Sequence, residues 1–559
     1  MGAVMKRSSG RRKSPDVIDV QTSGASERAI GGGMEGAARN SRELINWNPA
    51  IISPDMQIAQ SKELADARGR DVIQNDGLAM GAIHTHRDSI VGAQFRLIAK
   101  PDWEALGATE KWADDFQLIV ESRFNLLADS TECWFDASGT MTLTDMVRLA
   151  VGGFVPTGEV LATAEWLEEP GRPCKTAIQM VSPSRLSNPD GEADTLTLRS
   201  GIEINSYGRP MAYHIRSAFP GDYYSPMGLI TWKRIPAMLP WRRRQVLHIV
   251  EKMQPGQTRG IADMVSTLKQ QRMTKKFQDI TLQNAVVNAT YAAAIESDLP
   301  SDVVFGSMGA GGQGMTGMLS EYMAALTQYI GGTDNIAIDG VKMPHLFPGT
   351  KLNMKPAGTP GGVGTGFEES LLRHIAAPLG LSYEQFSKDY TKTNYSSARA
   401  SMAETFKFMQ TRKKVVADRF ATMIYVLWLE EEINAKRVPL PKGMGAAIFY
   451  DPLMREALTA CSWVGAARGQ IDEVKETQAA IMRINAGLST YEIEAARFGE
   501  DFRALYKQQA REKKMREEYG LDFNPQATKP GANDRQQAMD DGAKENKDDK
   551  SKDKGEEDE

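Results

Sequence analysis

The sequence predicts an α+β chain, and three features carry that prediction. Short alternating apolar runs separated by turn residues fill positions 158–250, as antiparallel strands require. Two stretches, Ile261–Leu299 and Ser396–Val438, hold no Gly or Pro. As helices at 1.5 Å per residue they would span about 57 and 63 Å. Hydrophobic residues form 41% and charged residues 25% of the 559 positions, so the chain has the material for a sizeable core.

Taken in order, Leu64–Asn75 has helical spacing, Gly77 interrupts it, and Ala79–His86 resumes it before Gly92 closes the segment. Gln94–Leu97 alternates like a strand. Thr109 is placed to cap a helix over Glu110–Leu127, and Thr144 another that reaches Val151. Gly158–Ala164, Gln179–Val181 and Val246–Val250 read as strands, while Gly201–Ile204 and Pro210–Ile215 flank the turn-rich Asn205-Ser206-Tyr207-Gly208 as a hairpin. Residues 44–257 therefore form a mixed α/β unit. Many glycines and prolines lie between Pro300 and Gly366, with a strand at Asn335–Ile338 and a helical segment at Met318–Ile330. Phe367–Ala377 is helical again. The polar loop Lys388–Tyr395 then leads into the second long helix, and residues 446–519 read as helical, with a loop and N-cap at Gly487–Glu492.

A helix of about 60 Å is too long to bury itself in one small domain and needs a neighbour to lie along. On Ser396–Val438, the side chains Met402, Phe406, Met409, Val416, Phe420, Met423 and Leu427 form one apolar stripe. Lys407, Arg412, Lys413, Lys414 and Arg419 make the opposite, solvated face. The length of the helix points to assembly more strongly than its charges do.

Charge narrows the function classes. The net charge is −5, with +5 on residues 1–15 and −4 on 526–559, which leaves −6 on the body. A compact basic nucleic-acid clamp is disfavoured, since phosphate affinity grows with the number of Lys and Arg contacts. The low apolar content of residues 1–40 and 526–559 predicts disordered tails. Cys133, Cys174 and Cys461 are scattered, which fits a reducing compartment and argues against a disulfide framework or structural zinc. No apolar run reaches membrane-spanning length, and the basic N-terminus lacks the apolar core of a secretory signal.

Catalytic motifs are imitated but incomplete. Gly309–Gly314 satisfies G-x-G-x-x-G, yet no βαβ series surrounds it, so a permissive turn explains it better than a dinucleotide site. No P-loop occurs. His86-Arg87-Asp88 resembles a kinase catalytic loop, but Ala93 stands where the metal-binding Asn belongs. His84 and His86 lack a third ligand, so no metal site is expected.

Six segments stand out together: Ala79–Gly92, Met180–Pro189, His248 with Gly256-Gln257-Thr258-Arg259-Gly260, Leu371–Gln385, Tyr395–Ser401 and Gly487–Glu492. Taken together they resemble the lambda-type portal proteins of tailed bacteriophages. Their order and spacing cover about residues 44–520; the tails and the Gly-rich 306–317 segment depart from the pattern. The resemblance implies a portal-type fold. Between disordered tails at 1–43 and 521–559, it implies a wing (44–257), a first stem helix (258–299), a clip (300–363) and a second stem helix (364–387). A channel loop (388–395), a tunnel helix (396–438) and a helical crown (439–520) would follow. It also implies a twelve-fold ring at one capsid vertex, formed in the host cytoplasm and carried in the virion, through which double-stranded DNA passes during packaging and ejection. Terminase and the head–tail connector would dock on the clip, and capsid proteins would surround the ring. No cofactor and no catalysis are expected, since ATP hydrolysis would belong to the terminase.

Lys388 and Lys392 are the candidate DNA-facing bases, with Tyr390, Asn394 and Tyr395 shaping their loop. A few bases repeated round a ring would centre a duplex without gripping it, whereas many phosphate clamps would stall it. The acidic body would then repel the DNA it surrounds. The competing readings are a nucleotide-binding enzyme built on Gly309–Gly314 and a DNA-binding regulator.

Overall fold

The computed structural model describes residues 44–219, 221, 222, 230–290, 336–338, 341–343, 363–469 and 472–521, with Arg42 and Ala324 as isolated positions. The expected tails, the Met318–Ile330 helix, the Gly309–Gly314 turn and nearly all of the 300–363 segment lie outside these residues.

The described residues open with three helices, α1 (Pro54–Ala59), α2 (Lys62–Asn75) and α3 (Gly77–Ile90). Asp76 separates the last two: it ends α2 in extended geometry and its side chain accepts from the amides of Leu78 and Ala79. Strand β1 (Arg96–Ala99) begins two residues later than the alternation suggests, and Thr109 caps α4 (Glu110–Ala128) as expected. The cap of α5 (Leu143–Thr157) is Thr142, in a capping box with Asp145. Thr144 instead lies buried in the first turn, where its hydroxyl accepts from the amide of Phe95. The helix continues past Val151 to Thr157.

Two sheets follow. In the first, β2 (Glu159–Trp166) lies between β3 (Thr176–Val181) and β8 (Val246–Val250), all antiparallel. In the second, β4 (Leu198–Arg199), β5 (Ile202–Ile204), β6 (Pro210–Arg216) and β7 (Trp232–Pro236) run in sequence order, with a bulge at Glu203/Ile204. The predicted hairpin is β5–β6. A small core of Leu161, Val181, Ile202, Tyr213, Ile235 and Val246 joins the two sheets.

Helix α6 (Leu268–Thr290) starts later than Ile261, after a 3-10 turn at Asp263–Thr267. The 291–299 part of the expected first stem helix lies outside the described residues. Strands β9 (Ile336–Ile338) and β10 (Val341–Met343) form a short hairpin. The expected 364–387 helix is divided: α7 (Val363–Ala376) ends in a 3-10 turn at Ala377–Leu379, and Gly380 precedes α8 (Tyr383–Ser387). Pro378 and the left-handed Gly380 supply the break.

The second long helix also differs from expectation. It runs as α9 (Tyr395–Arg412), a π segment at Lys413–Asp418, and α10 (Arg419–Asn434), stopping short of Val438. From Val416 onward it is a core element: Phe420, Ile424, Tyr425, Trp428 and Leu429 are all fully buried, and Phe124 packs edge-on against Tyr425 and Trp428. Nor is its basic face solvated throughout. Arg412 is buried against Asp263 at 3.1 Å and lies over the Phe154 ring, and Lys413 reaches Asp418 at 2.6 Å. Self-burial within one chain is therefore met by the second half of the helix, and the need for a neighbour falls on the first half.

The C-terminal region holds α11 (Pro452–Thr459), α12 (Glu473–Asn485), α13 (Tyr491–Arg497) and α14 (Phe502–Glu518), but it is not wholly helical. Strand β11 (Cys461–Val464) pairs antiparallel with β1, and Trp463 stacks on Phe95 at 5.4 Å. That pairing closes the last third of the chain onto the first hundred residues. Among the described residues of α14, none is buried.

One buried charge network fixes where α6 leaves this body. Glu159 is fully buried; it accepts from Arg259 at 2.6 Å, from His248 at 3.2 Å and from the amide of Gly260, and Lys62 lies 3.2 Å away. Burial alone would raise its pKa, but Arg259 and Lys62 more than offset this and hold the carboxyl well below the usual range. Arg259 also donates to the carbonyls of Pro183, Leu186 and Ser200. Asp55 accepts from the amide and hydroxyl of Thr258 and pairs with Arg199. Here the backbones of Gly158 and Gly260 nearly touch: a Cβ on Gly260 would sit 2.1 Å from the Gly158 carbonyl oxygen. The 256–260 run is thus a clamp joining α1, α2 and both sheets to the start of α6.

Candidate functional site

The 388–395 loop is braced at both ends by local chemistry. On its N-terminal side, Ser382 and Gln385 form a capping box for α8, and the Gln385 side chain also accepts from the Thr405 hydroxyl at 2.7 Å. Phe386 is buried and anchors that short helix. Lys388 ends it in the left-handed region at φ 60°, an uncommon place for a side chain other than Gly, Asn or Asp. On the C-terminal side, Asn394 caps α9, its side chain accepting from the amide of Ser397 at 2.8 Å. Between them the Asp389 carboxylate accepts from the amide and hydroxyl of Thr391, and Thr393 donates its amide to the Tyr390 carbonyl.

Both lysines have partners. Lys388 Nζ donates to Thr85 Oγ1 on α3 at 3.3 Å. Lys392 Nζ lies 2.5 Å from Glu369 Oε1 on α7, while its side chain stays 74% exposed. Glu369 also pairs with Arg373 at 3.2 Å. The hydrogen bond from Lys392 lowers the Glu369 pKa, and the same contact raises that of Lys392. Hydrogen bonds from Thr391 lower that of Asp389. The loop thus presents Lys388 and Lys392 with Asp389 and Glu369 beside them, and with Arg373 sharing Glu369 the cluster keeps a small positive excess. An exposed pair of this kind is weak because water screens it, so an arriving anion can readily displace it.

Of the five residues singled out from the sequence, Tyr390 is 55% exposed at the loop tip and Asn394 is a helix cap. Tyr395 opens α9, and its side chain lies outside the described residues. Sequence reasoning missed Glu369, the counter-charge to Lys392. Adjacent Glu368 and Glu369 near the start of a helix are a visible signal, but only the return of the chain through α8 sets one of them against the loop. It also missed Glu159, whose partner Arg259 sits in one of the segments singled out above. Among the described residues no group of three or more His, Cys, Asp and Glu side chains is arranged to hold a metal ion, and no helix is long and apolar enough to cross a membrane.

Residues 40–413 match the family described as phage portal protein, lambda family. Similar curated proteins include the portal protein of Escherichia phage N15, 38% identical over 499 residues, 89% of this chain and 91% of that protein. Portal protein B of Escherichia phage lambda is 37% identical over 481 residues, covering 86% and 89%. A probable portal protein of Halomonas phage phiHAP-1 is 20% identical over 461 residues, 79% of each. Among solved structures, the neck of an empty gene transfer agent particle overlaps 78% of this chain and 93% of its own, at 12% identity and a TM-score of 0.36. A likeness that loose carries no argument about this chain's assembly.

Proposed function

The chain belongs to the lambda family of phage portal proteins, and on that premise we propose that it forms a ring at one capsid vertex through which double-stranded DNA enters and leaves. The observation that carries this reading is identity of 37–38% to two portal proteins over nearly nine-tenths of the chain. The protein is a virion component, assembled in the host cytoplasm. Residues 44–257 form the wing, α6 and α7 the stem around a clip at 300–363, the 388–395 loop faces the channel, α9 and α10 form the tunnel helix, and residues 439–520 form the crown. Terminase and then the head–tail connector dock on the clip. The protein moves no bonds; the motor that hydrolyses ATP is the terminase.

Unpartnered surface supports the ring. α6 exposes Met273, Ile280 and Leu282, and the crown exposes Ile481, Met482, Tyr491 and Ile493. Head-to-tail contacts between copies would cover such surfaces and close on themselves. The small positive excess of the 388–395 loop supports sliding over gripping, because few phosphates would be neutralised at a time. Twelve copies of the 61.5 kDa chain give a particle of about 740 kDa. Native mass spectrometry and negative-stain images of the purified protein should show that ring. A strictly monomeric or dimeric particle under assembly conditions would count decisively against the proposal.

A further inference from the structure

A cleft of about 540 Å³ lies between the β7–β8 turn, the π segment of the long helix and α11. It is lined by Arg242, Arg243 and Arg244 from the turn, Lys414 and Arg419 from the long helix, and Arg455 from α11. Three acids share it, and two of them are already engaged: Asp418 with Lys413 at 2.6 Å and Glu430 with Arg243 at 2.8 Å. Glu456 alone is left to face the other five cations. Among the described residues Arg244, Arg419 and Arg455 have no carboxylate partner, and Arg455 donates only to the Arg242 carbonyl at 3.4 Å. Burial lowers the Arg244 pKa, and Arg419, Arg455 and Arg209 add like-charge repulsion. Arg244 and Arg455 are half-buried and Arg419 is exposed beside them; guanidiniums held together without counter-charge cost free energy that a bound anion would recover.

The shape of the cleft selects the anion. A recess of this volume admits an extended peptide, but not a duplex whose major groove alone is about 12 Å wide. The chain itself carries such a peptide: Glu556, Glu557, Asp558 and Glu559 stand in a row, with Asp548, Asp549 and Asp553 shortly before them. At about 3.3 Å per residue, the chain beyond Leu521 can reach any face of its own or a neighbouring copy. We propose that the Arg244–Arg419–Arg455 cleft docks the acidic C-terminal segment, residues 548–559. This inference does not depend on ring formation.

Lys414, the amine of the cleft, makes the idea testable in the full-length chain. A carbodiimide joins a carboxylate to an amine it touches, and digestion with mass spectrometry identifies the pair. The expected product joins Lys414 to an acid between 548 and 559. It should be lost when Arg244, Arg419 and Arg455 are replaced together by Gln. It should also be lost when Glu556, Glu557 and Glu559 become Gln and Asp558 becomes Asn, a variant that leaves the folded body untouched. Lys414 joined only to body carboxylates such as Glu456, or to nothing, overturns the proposal. So does a labelled single-stranded oligonucleotide whose binding requires the three arginines while the tail product is absent, since the cleft would then be a nucleic-acid site.

Discussion

Glu121 shows how one buried carboxyl sets a pH dependence. It sits on α4, where it accepts from the amide of Ala99 at 2.9 Å and from Gln117 at 2.7 Å. Burial pushes its pKa up to about 7, against the lowering effect of those two hydrogen bonds. The folded chain therefore holds this proton more tightly than the unfolded chain. The group's contribution to stability falls as pH rises from about 4.5 through 7 and is constant above. Replacing Glu121 with Gln keeps an acceptor for Ala99 and removes the charge. The variant should match the parent near pH 4 and exceed it by about 1–3 kcal/mol at pH 8, read from urea unfolding across the range. A difference that does not change with pH would show that another group sets the dependence. The burial of Glu121 is not legible in the sequence, because Ala99 meets it only when β1 lies against α4, whereas Gln117, four residues earlier on the same helix, is a partner that helical spacing supplies.

At the scale of the element, the π segment is the feature of greatest consequence. A π turn holds one residue more than an α turn and leaves the flanking faces nearly in phase. Deleting Lys414 should therefore restore a regular helix and cost no more than about 2 kcal/mol. Deleting Thr422, within the regular α10, would rotate Ile424, Tyr425 and Trp428 by about 100° out of the core, and no soluble folded protein is expected. Circular dichroism melts of the two deletions separate these outcomes; equal damage from both would reject the argument. The absence of Gly and Pro revealed the long helix, but not the π turn. That turn is consistent with the need to bury Val416, Ala417 and Phe420 while aiming Arg412 and Lys413 at Asp263 and Asp418. Residues 446–519 show a similar limit. Cys461–Val464 is too short to announce itself as a strand, and it becomes one because β1 offers it an edge.

At the scale of the whole molecule, Lys388 and Lys392 carry the functional prediction. Replacing both with Ala should leave particle size and thermal stability nearly unchanged, since each lies on an exposed loop where solvent screens its one contact. The same change should reduce packaged or retained DNA in assembled heads, measured as the ratio of full to empty particles. Normally filled heads from the double variant would remove these lysines from the DNA path. The pairing of Lys392 with Glu369 adds a sign: Glu369→Gln should free Lys392 and tighten its hold on DNA, slowing passage instead of abolishing it.

The sequence alone determined the α+β class, most of the helices and strands between 62 and 250, the two long Gly- and Pro-free segments and the family. These depend on periodicity, caps and chain-breaking residues, which act over a few positions and are written locally. The tertiary structure decided what meets across long separations: Glu159 with Arg259, β1 with β11, Lys392 with Glu369, and the arginines of the β7–β8 turn with Arg419 and Arg455. It also changed the meaning of the net charge of −5. Charges on distant stretches have no pattern in the chain, and folding pairs many of them in the body while leaving the Arg244–Arg419–Arg455 cleft positive. Composition sums charge over the whole chain, but Coulomb attraction falls with distance, so only the fold determines which charges remain unpaired.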